Sequence, residues 1–410
     1  MSLNNVTLTA AVRQNLLSLQ GTADLLATTQ TRLATGKKVN SALDNPTNFF
    51  TAAGLDARAS DISNLLDSIG NGVQVLQAAN TGITSLSSLV DTAKSIANQV
   101  LQQPTGYSTK ANITSVAAGA AGTATDLTAG GTNALNATTF IFKTSATTSV
   151  TLNASTTAGA TNFNSITTLN SELAANGIQL QASFNTNGTI TFTSTNDAAS
   201  QTITSTGTFA APTAGHSSSV DVSGSGVVAA SVAAPVADAV SQATRANLVS
   251  QYNQILTQIT TTAQDSSFNG INLLNGDELK LVFDETGKSS VTISGVTFNP
   301  AGLGLSTLTA GNDFIDNNST NNVLTALNTA SVTLRSQASA FGANLSIVQI
   351  RQDFNKNIIN VLQTGSSNLT LADSNEEAAN SQALSTRQSI ATSALALANQ
   401  SQQNVLQLLR

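Results

Sequence analysis

The sequence predicts a mainly α protein with a β-rich insert, and three observations carry that reading. Apolar residues recur at alternating steps of four and three near both ends of the chain, the 3.5-residue period of a coiled-coil seam. The middle, from about 131 to 235, breaks instead into short alternating runs punctuated by Gly, Asn and Ser. Charge also almost vanishes there, with Lys143, Glu172, Asp197 and Asp221 its only four charged residues.

The first helix carries Val12, Leu16, Leu19, Ala23, Leu26, Gln30 and Leu33 on one line. Gly36 stands where a helix ends on a left-handed residue. Asp44-Asn45-Pro46 then reads as a turn and a new helix start. The second helix has the stripe Ile62, Leu66, Ile69, Val73, Leu76, Ala79, Ile83, Leu86, Val90, Ala93, Ala97 and Val100. Every position on it is apolar, and one shortened step shifts the seam as a stutter does. Pro104 and Gly106 close this stripe, and helical character is expected to persist to about 130.

In the middle, Phe140 and Phe142 share one strand face, as do Ile190 and Phe192. Asn187-Gly188 is a hairpin turn. Ser217 to Gly226 reads as a linker out of this region. Helix returns near 236 with Leu248, Tyr252, Ile255 and Ile259. A turn-rich segment at 268–276 leads to a hairpin, Leu281-Val282-Phe283 and Val291-Thr292-Ile293 around Glu285-Thr286-Gly287-Lys288. A long helix follows, with Leu324, Leu327, Leu334, Ala338, Phe341, Leu345, Val348, Ile359 and Leu362 on one side and Gly365 expected to interrupt it. The last helix, capped by Asp373-Ser374-Asn375-Glu376, carries Leu384, Gln388, Ala391, Leu395, Ala398, Gln402, Val405 and Leu409.

Composition excludes more than it selects. Of 410 residues, 9% are charged and 4% aromatic, with no Cys, no Trp and one His. A net charge of −6 and a pI near 4.7 argue against nucleic acid, whose recognition leans on clustered Lys and Arg. No apolar run is long enough to span a bilayer. Met1 to Ala11 has no basic segment leading into an apolar one, so a cleaved signal peptide is not expected.

Catalytic patterns fail one by one. His216, in a Pro/Gly/Ser-rich loop, has no second His and no Cys for a metal or a nucleophile pair. Asp277-Glu278 and Glu376-Glu377 are adjacent, and neighbours on a helix do not face each other. Gly287-Lys288-Ser289 ends like a phosphate loop, but Val282 stands where its first Gly belongs. A middle-domain enzyme or adhesive module would need chemistry that one His and four charges do not supply. Neither an enzyme nor a cofactor is expected. Periodicity alone leaves two structural readings open, a closed intramolecular bundle and a subunit whose ends pack in a polymer.

Three stretches resemble the bacterial flagellins. Leu33-Ala34-Thr35-Gly36-Lys37-Lys38-Val39-Asn40-Ser41-Ala42-Leu43-Asp44-Asn45-Pro46 is similar to that family's N-terminal signature. Phe268-Asn269-Gly270 with Asn272-Leu273-Leu274-Asn275-Gly276 is similar to its turn motif. Ala396-Leu397-Ala398-Asn399-Gln400-Ser401-Gln402-Gln403-Asn404-Val405-Leu406-Gln407-Leu408-Leu409 is similar to its C-terminal signature.

The resemblance implies a flagellar filament subunit for swimming motility, exported by the flagellar type III apparatus to the cell exterior. It implies terminal helices paired as a coiled-coil core at 1–40 and 366–410. A helical-bundle shell at 41–130 and 236–365 would carry the hairpin near 281–296, and 131–235 would be the variable outer β domain. The expected assembly interface is Val12, Leu16, Leu19, Leu26, Leu33, Leu384, Leu395, Val405, Leu406 and Leu409. Implied partners are many copies of the chain itself, a filament cap, hook-junction proteins and an export chaperone on the last helix, with no nucleic acid and no membrane insertion. A hook–filament junction protein is the runner-up, since it resembles flagellin at its ends. Asp91 stands where receptor-activating members carry Arg, so weak activation of the animal innate immune receptor is expected.

Overall fold

A computed structural model describes residues 10–117, 123–128, 135, 137–227 and 231–408. Helix limits follow the caps in the sequence. Helix α1 (Ala10–Thr35) ends at Gly36, whose φ of +68° is open to glycine and costly for other residues. Helix α2 (Pro46–Leu101) starts on a proline, which gives up an amide that has no intrahelical partner there. Asn45 Oδ1 caps it by accepting from the Asn48 amide at 3.0 Å. Along the predicted stripe of α2, Leu66 is half-buried and all the other positions are buried.

Three local expectations change, the first being that the stretch read as a linker from Ser217 to Gly226 contains a buried central strand, Ser219–Ser223. Helix stops at Leu101, and residues 107–117 are strands β1 (Tyr107–Thr109) and β2 (Asn112–Ala117). Pro104 cannot donate to a helix, Gly106 turns the chain at φ +82°, and the β-branched residues that follow suit a pleated surface. Gly365 does not interrupt its helix, since α5 runs unbroken over Asn317–Thr370. A Cβ on Gly365 would stand 3.4 Å from Leu55 Cδ1, so the glycine accommodates a close neighbour and does not end the helix. The break falls at 371–373, before α6 (Ser374–Leu408), where Asp373 Oδ1 accepts from the Asn375 amide at 2.9 Å.

The chain divides into two compact units. The first comprises residues 1–73, 280–292 and 346–410. In it α1 and α6 run along each other. Their connectors are joined by backbone bonds, Lys38 N–H to Thr370 O at 2.7 Å and Ala372 N–H to Gly36 O at 3.0 Å. The start of α2 meets the end of α5 through Ala59, Ile62 and Leu362. A hairpin, β12 (Glu278–Val282) and β13 (Ser290–Ser294), brings its tip into this unit. Leu281 lies on Gly72 so closely that a Cβ there would be 2.4 Å away. Asn355 Nδ2 donates to Phe283 O at 2.9 Å, and Arg58 pairs with Glu285 at 2.6 Å.

The second unit, residues 74–279 and 293–345, holds the rest of α2 and α5, helix α4 (Ala239–Asp265) and the β-rich insert. The insert consists of β1, β2, β3 (Thr139–Lys143), β4 (Ser149–Ala154), β5 (Asn162–Phe163), α3 (Ile166–Ala175), β6 (Leu180–Phe184), β7 (Thr189–Ser194), β8 (Thr202–Thr204), β9 (Ser219–Ser223), β10 (Ser231–Ala233) and β11 (Val236–Ala237). Two sheets, β10-β2-β7-β6 and β5-β4-β3-β9-β8, share one core. As the alternation predicts, Phe140, Phe142, Ile190 and Phe192 all point into it and are fully buried. Phe192 lies 5.4 Å from Phe140 and 5.5 Å from Phe142, centroid to centroid. Gly188, at φ +80°, makes the tight turn between β6 and β7.

The insert's two chain crossings are held by one face of α4. Asp238 caps that helix, and its own amide donates to Gly106 O at 3.0 Å. Gln242 Nε2 donates to Gly106 O at 2.9 Å. Arg245, fully buried, donates from Nη2 to Pro104 O at 2.8 Å and from Nη1 to Phe314 O at 2.9 Å. Asp316, also fully buried, accepts from the Ser200 amide at 3.1 Å, the Ser200 hydroxyl at 2.6 Å and the Ser217 hydroxyl at 2.5 Å. Buried polar groups are stable only when satisfied in this way.

Candidate assembly interface

The α1–α6 pair is where the seam prediction can be examined residue by residue. On α1 the covered line is Val12, Asn15, Leu19, Thr22, Leu26 and Thr29. On α6 it is Glu377, Ser381, Leu384, Gln388, Ala391, Leu395 and Ala398. Both lines keep the three-four rhythm. Half of the α1 line is amide or hydroxyl, so the contact is only partly apolar.

Each expected interface residue has a place in this arrangement. Val12 is buried, and Leu19, Leu26, Leu384 and Leu395 are half-buried. Leu16 and Leu33 are exposed, at 38% and 42%. Val405 and Leu406 belong to α6, and Leu409 lies outside the described residues. Leu16 falls outside the covered line because a 3.5-residue seam has two phases, and at the last turn of α1 Arg32 is half-buried while Leu33 is exposed. Val12, Leu19 and Leu26 are common to both, but the structure half-buries Asn15 in place of Leu16 and half-buries Thr22 together with Ala23. Nothing in the sequence of α1 by itself sets that phase, because the partner helix sets it.

The outcome is a helix pair with apolar side chains left over. Leu16, Leu17, Leu25 and Leu33 of α1 are exposed, as are Ile390 and Leu397 of α6. A helix apolar on several faces is one that several neighbours cover. A second uncovered line lies on α5, where Ile347, Ile350, Phe354 and Val361 are 48–66% exposed. Their spacing of three, four and seven places them on one face. The sequence did signal this line: its residues are apolar and helically spaced, on the face opposite the recognised stripe.

Side-chain chemistry here is structural. No group of three or more His, Cys, Asp and Glu is arranged to hold a metal among the described residues. No described helix is long and apolar enough to cross a membrane. Hydrogen bonds from the Ser41 and Asn40 amides hold the Asp44 carboxyl below its ordinary pKa, and those from Ser241 do the same for Asp238. Burial, reinforced by Asp313, pushes Tyr252 up to about 12. These shifts lead away from neutrality, whereas a general acid or base is tuned toward it. His216 is half-buried beside Ser217, Tyr252 and Asp313 in an open polar cleft of about 350 Å³.

Comparison with known proteins bears on both ends of the chain. Residues 4–119 match the family model described as the bacterial flagellin N-terminal helical region, and residues 324–409 match the one described as the bacterial flagellin C-terminal helical region. Among curated relatives, Flagellin FljM of Caulobacter vibrioides is 30% identical over 164 residues, covering 40% of this chain and 59% of that relative. Flagellin FljK of the same organism is 29% identical over 164 residues, again 40% and 59%. Flagellin FljJ is 28% identical over 166 residues, 40% of this chain and 57% of the relative. The matched stretch thus spans less than two thirds of the length of these relatives.

Proposed function

We propose that this chain, which belongs to the bacterial flagellin family, polymerises with copies of itself into a flagellar filament. Flagellins are a structural family and not an enzymatic one. The observation that carries the reading is the α1–α6 pair, whose inward line is half polar while six large apolar side chains of the two helices remain exposed. A closed bundle would place those residues inward. A repeating contact between copies would cover them, and one that does not close on itself gives a helical polymer.

In the same reading the terminal pair forms the inner layer of the filament. The helices with the hairpin form the next layer, and the insert faces outward. Val12, Leu16, Leu19, Leu26, Leu33, Leu384, Leu395, Val405, Leu406 and Leu409 are its assembly residues. Export through the flagellar type III apparatus, placement outside the cell and a role in swimming motility belong to the proposal. So do contacts with a filament cap, hook-junction proteins and an export chaperone. Asp91, paired with Lys94 at 3.7 Å, supports weak activation of the innate immune receptor by the pure chain.

The test is seeded growth of the purified chain, viewed by negative-stain microscopy. Filaments of uniform width are expected. A variant lacking the last ~15 residues, about the length below which an isolated helix is marginal, and so keeping more than half of the 35-residue α6, is expected to remain folded and fail to grow. Precipitation of that variant with loss of helicity would point to a closed bundle instead.

A further inference from the structure

We propose that Arg32 and Glu377 form a register latch that fixes how α1 and α6 slide past each other. Arg32 lies in the last turn of α1 and Glu377 in the first turn of α6. Their charged groups meet at 3.3 Å, with the Arg32 side chain 35% exposed and that of Glu377 only 10%. Among the described residues it is the only ion pair between α1 and α6. Arg32 Nε is buried and has no hydrogen-bond partner there. Asp44, held mainly by the Ser41 and Asn40 amides, also feels the Arg32 charge.

The rest of the pair needs such a device. Continuing the three-four rhythm outward from the Arg32–Glu377 contact would pair Thr29 with Ser381, Leu26 with Leu384, Thr22 with Gln388, Leu19 with Ala391, Asn15 with Leu395 and Val12 with Ala398. A slip of one heptad gives Leu26 with Ala391, Thr22 with Leu395 and Leu19 with Ala398. The slipped layers are nearly as good, again mixing Leu with Ala and hydroxyls with apolar residues. A seam this degenerate does not choose its own register. In coiled coils one polar or ionic position commonly makes the choice. Slipping would set Arg32 against Leu384 and leave the buried Glu377 carboxylate unpaired, and an uncompensated buried charge is costly.

The connector bonds at Gly36 and Lys38 offer a rival means of holding register, and engineered disulfides separate the two. The chain has no cysteine, so introduced pairs report without background. The unpolymerised full chain is used, with L19C/A391C reading the native register and L26C/A391C the slipped one. A disulfide forms only between Cα atoms roughly 4.4–6.8 Å apart. With Arg32 and Glu377 intact, the native pair is expected to close and the slipped pair to stay reduced. In R32Q, and separately in E377Q, the ratio of slipped to native product is expected to rise roughly fivefold or more, the scale of a partly buried ion pair. R32K, which keeps the charge, is expected to restore much of the native preference.

Circular dichroism and exchange protection in α4 verify that each variant is folded. The latch is overturned if R32Q and E377Q leave the ratio unchanged, because the connectors would then hold register unaided. It is also overturned if the unaltered chain closes both pairs equally. Neither readout requires a filament, so the latch stands or falls separately from the polymer reading.

Discussion

The terminal helix pair and the β-rich insert solve burial in opposite ways. In the insert, four phenylalanines, Phe140, Phe142, Phe163 and Phe192, are fully buried in one core shared by two sheets. Among its described residues the exposed large apolar side chains are Val232 and Val236, both in its closing strands. In the pair, Asn15, Thr22 and Thr29 take covered positions while Leu16, Leu17, Leu25, Leu33, Ile390 and Leu397 stay in solvent. The insert has a core of its own, as an autonomous domain must. The pair leaves apolar faces uncovered, and the proposed polymer would cover them with other copies of the chain.

The sharpest way to break this contrast is inside the insert. Phe192→Ala removes contacts with Phe140 and Phe142 and is expected to cost about 3–5 kcal/mol. Denaturant unfolding should show the loss in the β signal, with α1 and α6 unaffected. Arg245→Ala comes next, since it strands the Pro104 and Phe314 carbonyls and leaves Asp316 without a nearby cation. A cost of about 3 kcal/mol is expected, and Arg245→Lys is expected to restore part of it in the same assay.

On the uncovered side the size of the effect differs between free and assembled states. Leu25→Ser, at a side chain 58% exposed, is expected to change stability of the isolated chain by less than about 0.5 kcal/mol. It is also expected to raise the concentration needed for seeded growth. Unaltered growth would remove Leu25 from the interface. Leu26→Ser, one residue on and half-buried, is expected to lower helicity of the free chain as well.

A further effect is expected at high pH. Tyr252 is neutral when folded and its pKa is raised from 10.0 to about 12. Its contribution to stability is therefore complete below pH 10 and lost as pH climbs through about 12. A proton is then held by the folded state that the unfolded state has released. Tyr252→Phe should flatten that alkaline limb when unfolding is followed by far-ultraviolet dichroism. Tyr107, whose pKa burial and Asp316 also raise, would keep some slope.

Legibility in the sequence tracked how local the physics was. Caps were readable because a cap is decided within four residues, as at Asn45-Pro46 and Asp373. The α2 stripe was readable because every position on it is apolar at helical spacing. The strand faces of Phe140 and Phe192 followed from a period of two. Gly365 misled because a glycine that ends a helix and one that makes room for Leu55 look alike until the neighbour is known. Strands β1 and β2 were hidden because they pair with β11, β10 and β7, partners far along the chain. The phase of α1 was hidden for the same reason. The ion pair of Arg32 and Glu377 joins residues 345 positions apart, and no local pattern announces it.

The closing strands of the insert have a mechanical consequence. Where the chain leaves α2 and where it enters α4, it is pinned to itself: Tyr107 pairs with Ala237, and Gly106 O accepts from both Asp238 and Gln242. Tension pulling the end of α2 away from the start of α4 would be carried across this stem. Arg245 reinforces it from the Pro104 side. The two sheets beyond the stem lie off the load path, so the β insert would feel no pull until the stem had parted. A fibre built from such subunits could be stretched, or its outer domain exchanged, without the one disturbing the other.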